Sequence, residues 1–268
     1  YKRREHMIIP EKVKKIVQKL NDAGFEAYIV GGCVRDCLLQ RKPQDWDITT
    51  SAQPQEVKKI FPKTYDTGLK HGTVTVVCEK DHYEITTYRI EKEYYDCRHP
   101  SQVIFTKSLK EDLQRRDFTV NAMAYHPVRG VVDAFSGMQD IEGHIIRCVG
   151  DARARFDEDA LRMLRAVRFS GQLGFAIEDK TLLAMKERAK DLQQISAERI
   201  RTELVKLLVS KDASQIRVAY QTGMTEVFFP EFDKMMGLEQ KNPHHIYTVG
   251  EHTIHSIEAM NYFFGEYS

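Results

Sequence analysis

The sequence predicts an α+β chain: a mixed sheet with flanking helices up to about residue 148, then helices alone. Three observations carry this. Short β-prone runs separated by turn residues fill the stretch from Ala27 to Arg89. After Gly150 apolar residues recur at helical spacing, with Leu161, Leu164, Val167 and Phe169 on one face and Ile200, Leu204, Leu207 and Leu208 on another. Breakers are sparse in that second part, Gly171, Gly174, Gly223 and Pro230 among them.

In order along the chain, Val13, Ile16, Val17 and Leu20 predict an amphipathic helix over 11–24 that stops at Gly24. Ala27–Val30 reads as a short strand running into Gly31-Gly32, and a helix of about two turns follows through Leu39. Residues 45–49 read as a second strand and 53–61 as a short helix. Three β-prone runs come next, 63–67, 73–79 and 83–89, with Asp81-His82 as the turn between the last two. Residues 90–108 lack clean periodicity and contain Pro100, which predicts a loop or mobile hairpin. Residues 108–125 read as a helix.

Hydrophobic residues make up 42% and charged residues 29% of the 268, a composition that can bury a core. No apolar run approaches the roughly 18 residues that cross a bilayer, so a membrane partner is not expected. The charged start, Tyr1 to His6, is not followed by the apolar block of a signal peptide. Cys33, Cys37, Cys78, Cys97 and Cys148 show no paired metal spacing and read as reduced thiols of a cytoplasmic protein. The net charge of +1 does not advertise nucleic-acid binding, although an acidic site and a basic face cancel in a sum.

The sharpest signal is Gly31-Gly32-Cys33-Val34-Arg35-Asp36 followed by Asp45-Trp46-Asp47. Glycines between a strand and a helix let backbone N–H groups approach a phosphate. Taken alone, this is equally an ordinary strand-to-helix turn. On a strand, residues i and i+2 face the same way, so Asp45 and Asp47 present two carboxylates side by side. Such a pair repels itself unless a cation lies between, and hard oxygen donors suit magnesium. Glu84, flanked by core-facing Tyr83 and Ile85, is the expected third carboxylate.

With these residues in place, the chain resembles the class II tRNA nucleotidyltransferases, a family that includes bacterial poly(A) polymerases and belongs to the DNA polymerase β-like superfamily. The resemblance continues in four blocks. Arg115 to Ala124 is similar to the family's ribose- and triphosphate-binding motif, with Asp117 and Asn121 sharing a helix face and Arg116 beside them. Asp133 to Arg147 resembles the hinge between head and neck, Met138 standing where a second glycine is expected. Arg155 to Phe169 resembles the amino-acid template that reads the incoming base, through Asp159 and Arg162 at i and i+3. An intrahelical salt bridge between those two fits the same spacing. Ile195 to Leu204 resembles the neck motif that buttresses the template, with Ser196 as N-cap. Tyr88 to Pro100 is similar to the family's flexible loop, and 242–253 to the entry of an HD-type helical domain whose later ligands do not follow.

The resemblance implies a head over 1–148, a helical neck over 149–210 and the start of a helical body over 211–268, in a chain expected to be an N-terminal portion. It implies addition of C, C and A to a tRNA 3′ end from CTP and ATP, without a nucleic-acid template. Asp45, Asp47 and Glu84 are the expected catalytic residues, the first two holding Mg2+. Gly31, Gly32, Arg35, Arg116, Asp117, Asn121, Asp159, Arg162, Arg165 and Arg168 are expected on the nucleotide, and Arg153 and Arg155 on RNA. A poly(A) polymerase, an enzyme adding only CC or only A, and a non-catalytic RNA-binding module are the competing readings.

Overall fold

The computed structural model describes residues 7–94, 100–241 and 246–264. The chain divides into two compact units, one built from the described residues up to Gly143 and the other essentially from His144 onward.

The first unit opens with α1 (Glu11–Asp22), β1 (Ala27–Val30), α2 (Gly32–Leu38), β2 (Asp47–Thr50) and α3 (Pro54–Ile60). β3 (Thr64–Gly68), β4 (Thr73–Cys78), β5 (Asp81–Thr87), β6 (Arg89–Tyr94) and β7 (Pro100–Phe105) follow, then α4 (Leu109–Gln114), β8 (Met123–His126), β9 (Gly130–Asp133) and α5 (Gly137–Glu142). Among the described residues, seven strands form one sheet in the order β3-β4-β5-β2-β1-β8-β9, while β6 and β7 pair separately. β1 and β2 are antiparallel, and β2 runs parallel to β5.

Register explains how the sheet separates core from site. Ile29 lies opposite Ile48, Ile48 opposite Ile85, and Ile85 opposite Val74, so these four form one row, each at most 1% exposed. α1 and α3 pack on this sheet, α1 burying Val13, Ile16, Val17 and Leu20. One residue along each strand the side chains point the other way. The neighbouring row begins with Val30 opposite Asp47. One step from the Ile48–Ile85 pairing, Asp47 lies beside Glu84, and Glu84 is opposite Thr75. On that face Tyr28, Val30, Tyr88, Leu113 and Ala124 cluster, and Thr49 donates to Asp112 of α4 at 3.1 Å.

Several expectations change here. β2 starts at Asp47, opposite Val30, where β1 ends and Gly31 turns the backbone away at φ 85°; Asp45 and Trp46 precede the strand and have no β1 residue opposite them. The hairpin turn is Glu79-Lys80, not Asp81-His82: Cys78 pairs with Asp81, and Glu79 takes the left-handed φ of 60° that a two-residue turn requires. Of the loop or hairpin expected over 90–108, the described residues form the hairpin's two strands, β6 and β7. Of the stretch resembling a flexible loop, 95–99 lie outside the described residues, as do 242–245.

The predicted helix over 108–125 ends at Gln114. The Asp117 carboxylate accepts from the Phe118 N–H at 2.8 Å, a local bond that competes with helical pairing. A 3-10 turn over Thr119–Asn121 and then β8 follow. α5 closes on that turn. Its Asp140 accepts from the Thr119 hydroxyl at 2.6 Å, and a Cβ on Gly137 would stand 2.3 Å from the Thr119 carbonyl oxygen. Gly137→Ala should therefore destabilise the unit by about 1–3 kcal/mol, an overpacking cost measurable by urea denaturation.

The second unit is mainly helical: α6 (Ala152–Glu158), α7 (Leu161–Leu173), α8 (Asp179–Arg188), α9 (Ala197–Leu208), α10 (Ile216–Gln221), α11 (Met224–Phe228), α12 (Pro230–Met236) and α13 (Val249–Phe264). Two short strands the sequence reading missed, β10 (Ile145–Ile146) and β11 (Ala176–Ile177), pair in parallel. α7 packs on α9 and buries Met163, Ala166 and Val167 completely. Ser196 precedes α9 without a side-chain cap, and Arg217 of α10 holds Glu251 of α13 through a forked pair at 2.6–3.1 Å. Among the described residues no helix is long and apolar enough to cross a membrane.

Candidate active site and base-reading helix

The first unit gathers Asp45, Asp47 and Glu84 in one cleft of about 1390 Å³. Asp47 sits at the first position of β2 and Glu84 beside it on β5. Tyr83 and Ile85 are buried on either side of exposed Glu84, the alternation the sequence predicted. Asp45 reaches the cleft from the segment before β2, and its charge is felt at Asp47. The Asp47 side chain keeps contact with solvent, yet the protein around it displaces much of its hydration. That desolvation pushes its pKa up. The Arg116 guanidinium opposes the shift, and the negative charges of Glu84 and Asp45 add to it. Neighbouring like charges on a rigid strand are the condition a cation relieves.

Gly31 stands close against two side chains of the candidate site. A Cβ there would meet Arg116 Nη1 at 3.1 Å and Asp47 Oδ2 at 3.9 Å. The φ of 85° independently favours glycine. The glycine turn, a carboxylate and a guanidinium therefore converge within a few ångströms. Arg116 Nε is buried without a hydrogen-bond partner, and Arg116 Nη2 lies 3.5 Å from Asp112. Gly32 adjoins the Arg35 guanidinium.

Arg35 is 8% exposed. It donates Nη1 to Asn121 Oδ1 at 2.7 Å and Nε and Nη2 to Asp36 Oδ1 at 2.9 and 2.7 Å. Asn121 Nδ2 in turn donates to Asp117 Oδ1 at 3.2 Å. Asp117 and Asn121 thus meet as expected, although across a 3-10 turn rather than on an α-helix. The chain Asp36–Arg35–Asn121–Asp117 ties α2 to that turn and orients each member.

Asp112 escaped the sequence reading. It is fully buried on α4 and accepts Arg115 Nε and Nη2 at 3.0 and 2.8 Å, the Thr49 hydroxyl and the Arg89 N–H. Burial pushes its pKa up, but the guanidinium charges of Arg115 and Arg116 outweigh that and hold it below the usual carboxylate range. The signal was present as helical spacing: Asp112 precedes Arg115 and Arg116 by three and four residues.

In the second unit, Asp159 and Arg162 do not share a helix face as expected. Asp159 has φ −152° and ψ 102°, which breaks the helix between α6 and α7. Its carboxylate accepts from the Leu161 N–H at 3.1 Å and takes Arg199 of α9 in a forked pair at 3.3 and 2.7 Å. Arg162, in the first turn of α7, is bound instead to Glu158 and to the Arg155 carbonyl at 3.1 Å; Arg155 also pairs with Glu158. So Arg199 and Glu158, which the sequence reading did not assign, hold the two expected base readers. Glu158 ends α6 and Arg162 stands in the first turn of α7, so their pair bridges the break at Asp159. Arg165 lies 3.9 Å from Glu203. Arg168 is buried, bonded to Glu203 and to Gln172, with its guanidinium 3.8 Å from the Phe169 ring centroid. Arg153 is exposed and holds Glu187 in a forked pair.

Among the described residues no three His, Cys, Asp or Glu side chains converge as a ready-made metal cage. The carboxylates of Asp45, Asp47 and Glu84 offer oxygen donors, which suit a hard cation that takes one or two carboxylates and completes its shell with phosphate and water.

Residues 27–147 match the family described as Poly A polymerase head domain, and 174–236 match one described as Probable RNA and SrmB- binding site of polymerase A. The CCA-adding enzyme of Lactobacillus helveticus is 54% identical over 204 residues, covering 76% of this chain and 51% of that one. That of Pediococcus pentosaceus is 47% identical over 249 residues, covering 89% and 63%. Among solved structures, the Bacillus stearothermophilus CCA-adding enzyme in complex with CTP aligns at TM-score 0.75 and 46% identity, over 80% of this chain and 52% of that one. The Thermotoga maritima CCA-adding enzyme complexed with tRNA_CCA aligns at 0.69 and 27%, over 87% and 57%. The chain spans about half the length of the first curated relatives it matches.

Proposed function

Because the chain belongs to the family of class II CCA-adding enzymes and bacterial poly(A) polymerases, we propose that its protein adds C, C and A to the 3′ end of tRNA from CTP and ATP, without a nucleic-acid template. Divalent-metal use goes with this family; the cation we propose is Mg2+, held by Asp45 and Asp47. One observation carries the reading: Asp47, coupled to Asp45 and Glu84, opens onto the same few ångströms as the Gly31 turn and Arg116. A triphosphate on the turn brings its phosphates against the carboxylates.

Bound magnesium supplies Lewis-acid charge that eases formation of an alkoxide-like nucleophile and departure of pyrophosphate. The protein's own residues do the remaining work. The backbone at Gly31 and Gly32 admits the triphosphate, and Arg116 offers positive charge to it. Arg35, fixed by Asp36, holds Asn121 and through it Asp117, which accepts from a ribose hydroxyl. Glu84 orients the RNA 3′-hydroxyl and takes its proton as that oxygen attacks the α-phosphorus and the bond to pyrophosphate breaks. In the second unit, Asp159 accepts from an exocyclic amino group and Arg162 donates to a ring nitrogen or carbonyl. Together they select C and then A, once their pairs with Arg199 and Glu158 open onto the base. Arg165 and Arg168 support that helix, and Arg153 and Arg155 lie on the RNA side. The free thiols among the described residues accord with a cytoplasmic protein.

The test is incorporation of each labelled nucleotide into tRNA lacking its 3′ end. CTP and then ATP should be used. ATP added to unrelated RNA with no use of CTP would establish the poly(A) reading instead. Arg162→Ala should lower discrimination against UTP and GTP roughly 5- to 100-fold, the scale of one lost bidentate base contact. Unchanged selectivity would remove Arg162 from base reading.

A further inference from the structure

The row that carries Asp47 and Glu84 continues beyond them. Glu84 is opposite Thr75 on β4, and Thr75 is opposite Tyr65 on β3, the edge strand. With neighbouring strands roughly 4.8 Å apart, Tyr65 stands about 14 Å from Asp47 along one face. Tyr65 is 59% exposed. The Tyr65 ring lies beside that of His82, centroids 6.1 Å apart and planes inclined by 34°. His82 precedes Glu84 by two residues on β5, so both point to the same face. Tyr65 and His82 line the same cleft as the carboxylates, together with Lys42 and Lys80. Tyr65 and His82 are both exposed, so core packing does not account for this pair.

The row also has a direction. The glycine turn follows β1, on one side of Asp47; Glu84, Thr75 and Tyr65 follow on the other. If the incoming triphosphate is at Gly31, the strand bearing the attacking hydroxyl leaves across Glu84 toward Tyr65. Exposed aromatic rings flanked by ammonium groups are what holds single-stranded RNA: bases stack on the rings and phosphates face the cations. We propose that Tyr65 and His82 form the stacking platform for the nucleotides just upstream of the RNA 3′ end, with Lys42 and Lys80 beside their phosphates. This assignment rests on the nucleotidyl-transfer reading and names positioning residues, not catalytic ones.

The experiment is steady-state kinetics on the whole protein carrying Tyr65→Ala and His82→Ala, singly and together, with tRNA lacking its 3′ end as one substrate and CTP as the other. Loss of stacking should raise the KM for tRNA roughly 5- to 100-fold per ring. The KM for CTP should stay at the wild-type value, which also reports that the fold is intact. Tyr65→Phe, which keeps the ring, should restore the KM for tRNA. An unchanged KM for tRNA, an equal rise in both constants, or a Tyr65→Phe protein as impaired as Tyr65→Ala overturns the platform while leaving nucleotidyl transfer standing. A wild-type protein that incorporates no nucleotide overturns both.

Discussion

Replacing Asp47 by asparagine should lower nucleotide incorporation at least a thousandfold without lowering the stability of the fold. The two halves of this expectation come from the same geometry. Asp47 sits on a strand between the charges of Asp45 and Glu84, with Arg116 as the positive group that opposes them. Asparagine keeps the size and the strand but removes the charge that the proposed metal site requires. Lewis-acid stabilisation contributes several kcal/mol to such a transfer, and each 1.36 kcal/mol is tenfold in rate. In the metal-free protein, the same change removes a desolvated charge that Glu84 and Asp45 also repel. The unfolding midpoint should therefore stay level or rise, while the stabilisation that added magnesium gives the wild type should shrink. Thermal melts with and without the metal, beside single-turnover incorporation, measure all three. A fall in melting temperature as large as that of a core mutation would mean that Asp47 is structural.

Asp112→Ala should do the opposite: lose roughly 3–5 kcal/mol of stability, with activity falling as a consequence. Its carboxylate is fully buried and is held by Arg115, Arg116, Thr49 and the Arg89 N–H. Removing one partner of a buried ionic cluster leaves the others desolvated and uncompensated. The sole tryptophan, Trp46, lies in this unit and reports its unfolding by fluorescence. The pH dependence has a definite sign. The folded pKa of Asp112 lies below the unfolded one, so the native state binds fewer protons. Its contribution is complete above a pH of about 4, and is lost as pH falls through the folded value. Wild-type stability should decline in acid more steeply than that of Asp112→Asn, which cannot titrate. Parallel acid limbs for the two proteins would remove Asp112 from that slope.

The sequence disclosed more of the site than of the backbone that presents it. Asp47 and Glu84 could be found because their neighbours Ile48, Tyr83 and Ile85 are apolar at a period of two, and Gly31 because it joins a strand to a helix. What period and spacing could not show was where pairing stops. Asp45 looks like a strand residue until Gly31 is seen to turn β1 away from it. Asp117 looks helical until its carboxylate binds the next N–H. Asp159 looks like the partner of Arg162 at i+3 until its extended backbone hands it to Arg199, forty residues on. In each case a bond made locally, or from a distant segment, overrode a sound periodic signal. Asp112 was missed for a different reason: its importance comes from burial, and a charged residue on a short helix reads as surface.

The adjacent rows of the sheet tie catalysis to folding in heredity as well as in space. Ile48 and Ile85 match across β2 and β5 by the same alignment that brings Asp47 to Glu84. Inserting one residue within β5 ahead of Glu84, where no turn can take it up, would reverse the strand side for side or force a bulge, sending Glu84 toward the helices and Ile85 into the cleft. Substitutions along these strands can be sampled one at a time, but changes of length there cannot. Descendants of this gene should vary freely at the exposed tip of the β4–β5 hairpin and scarcely at all in the number of residues within β2 and β5.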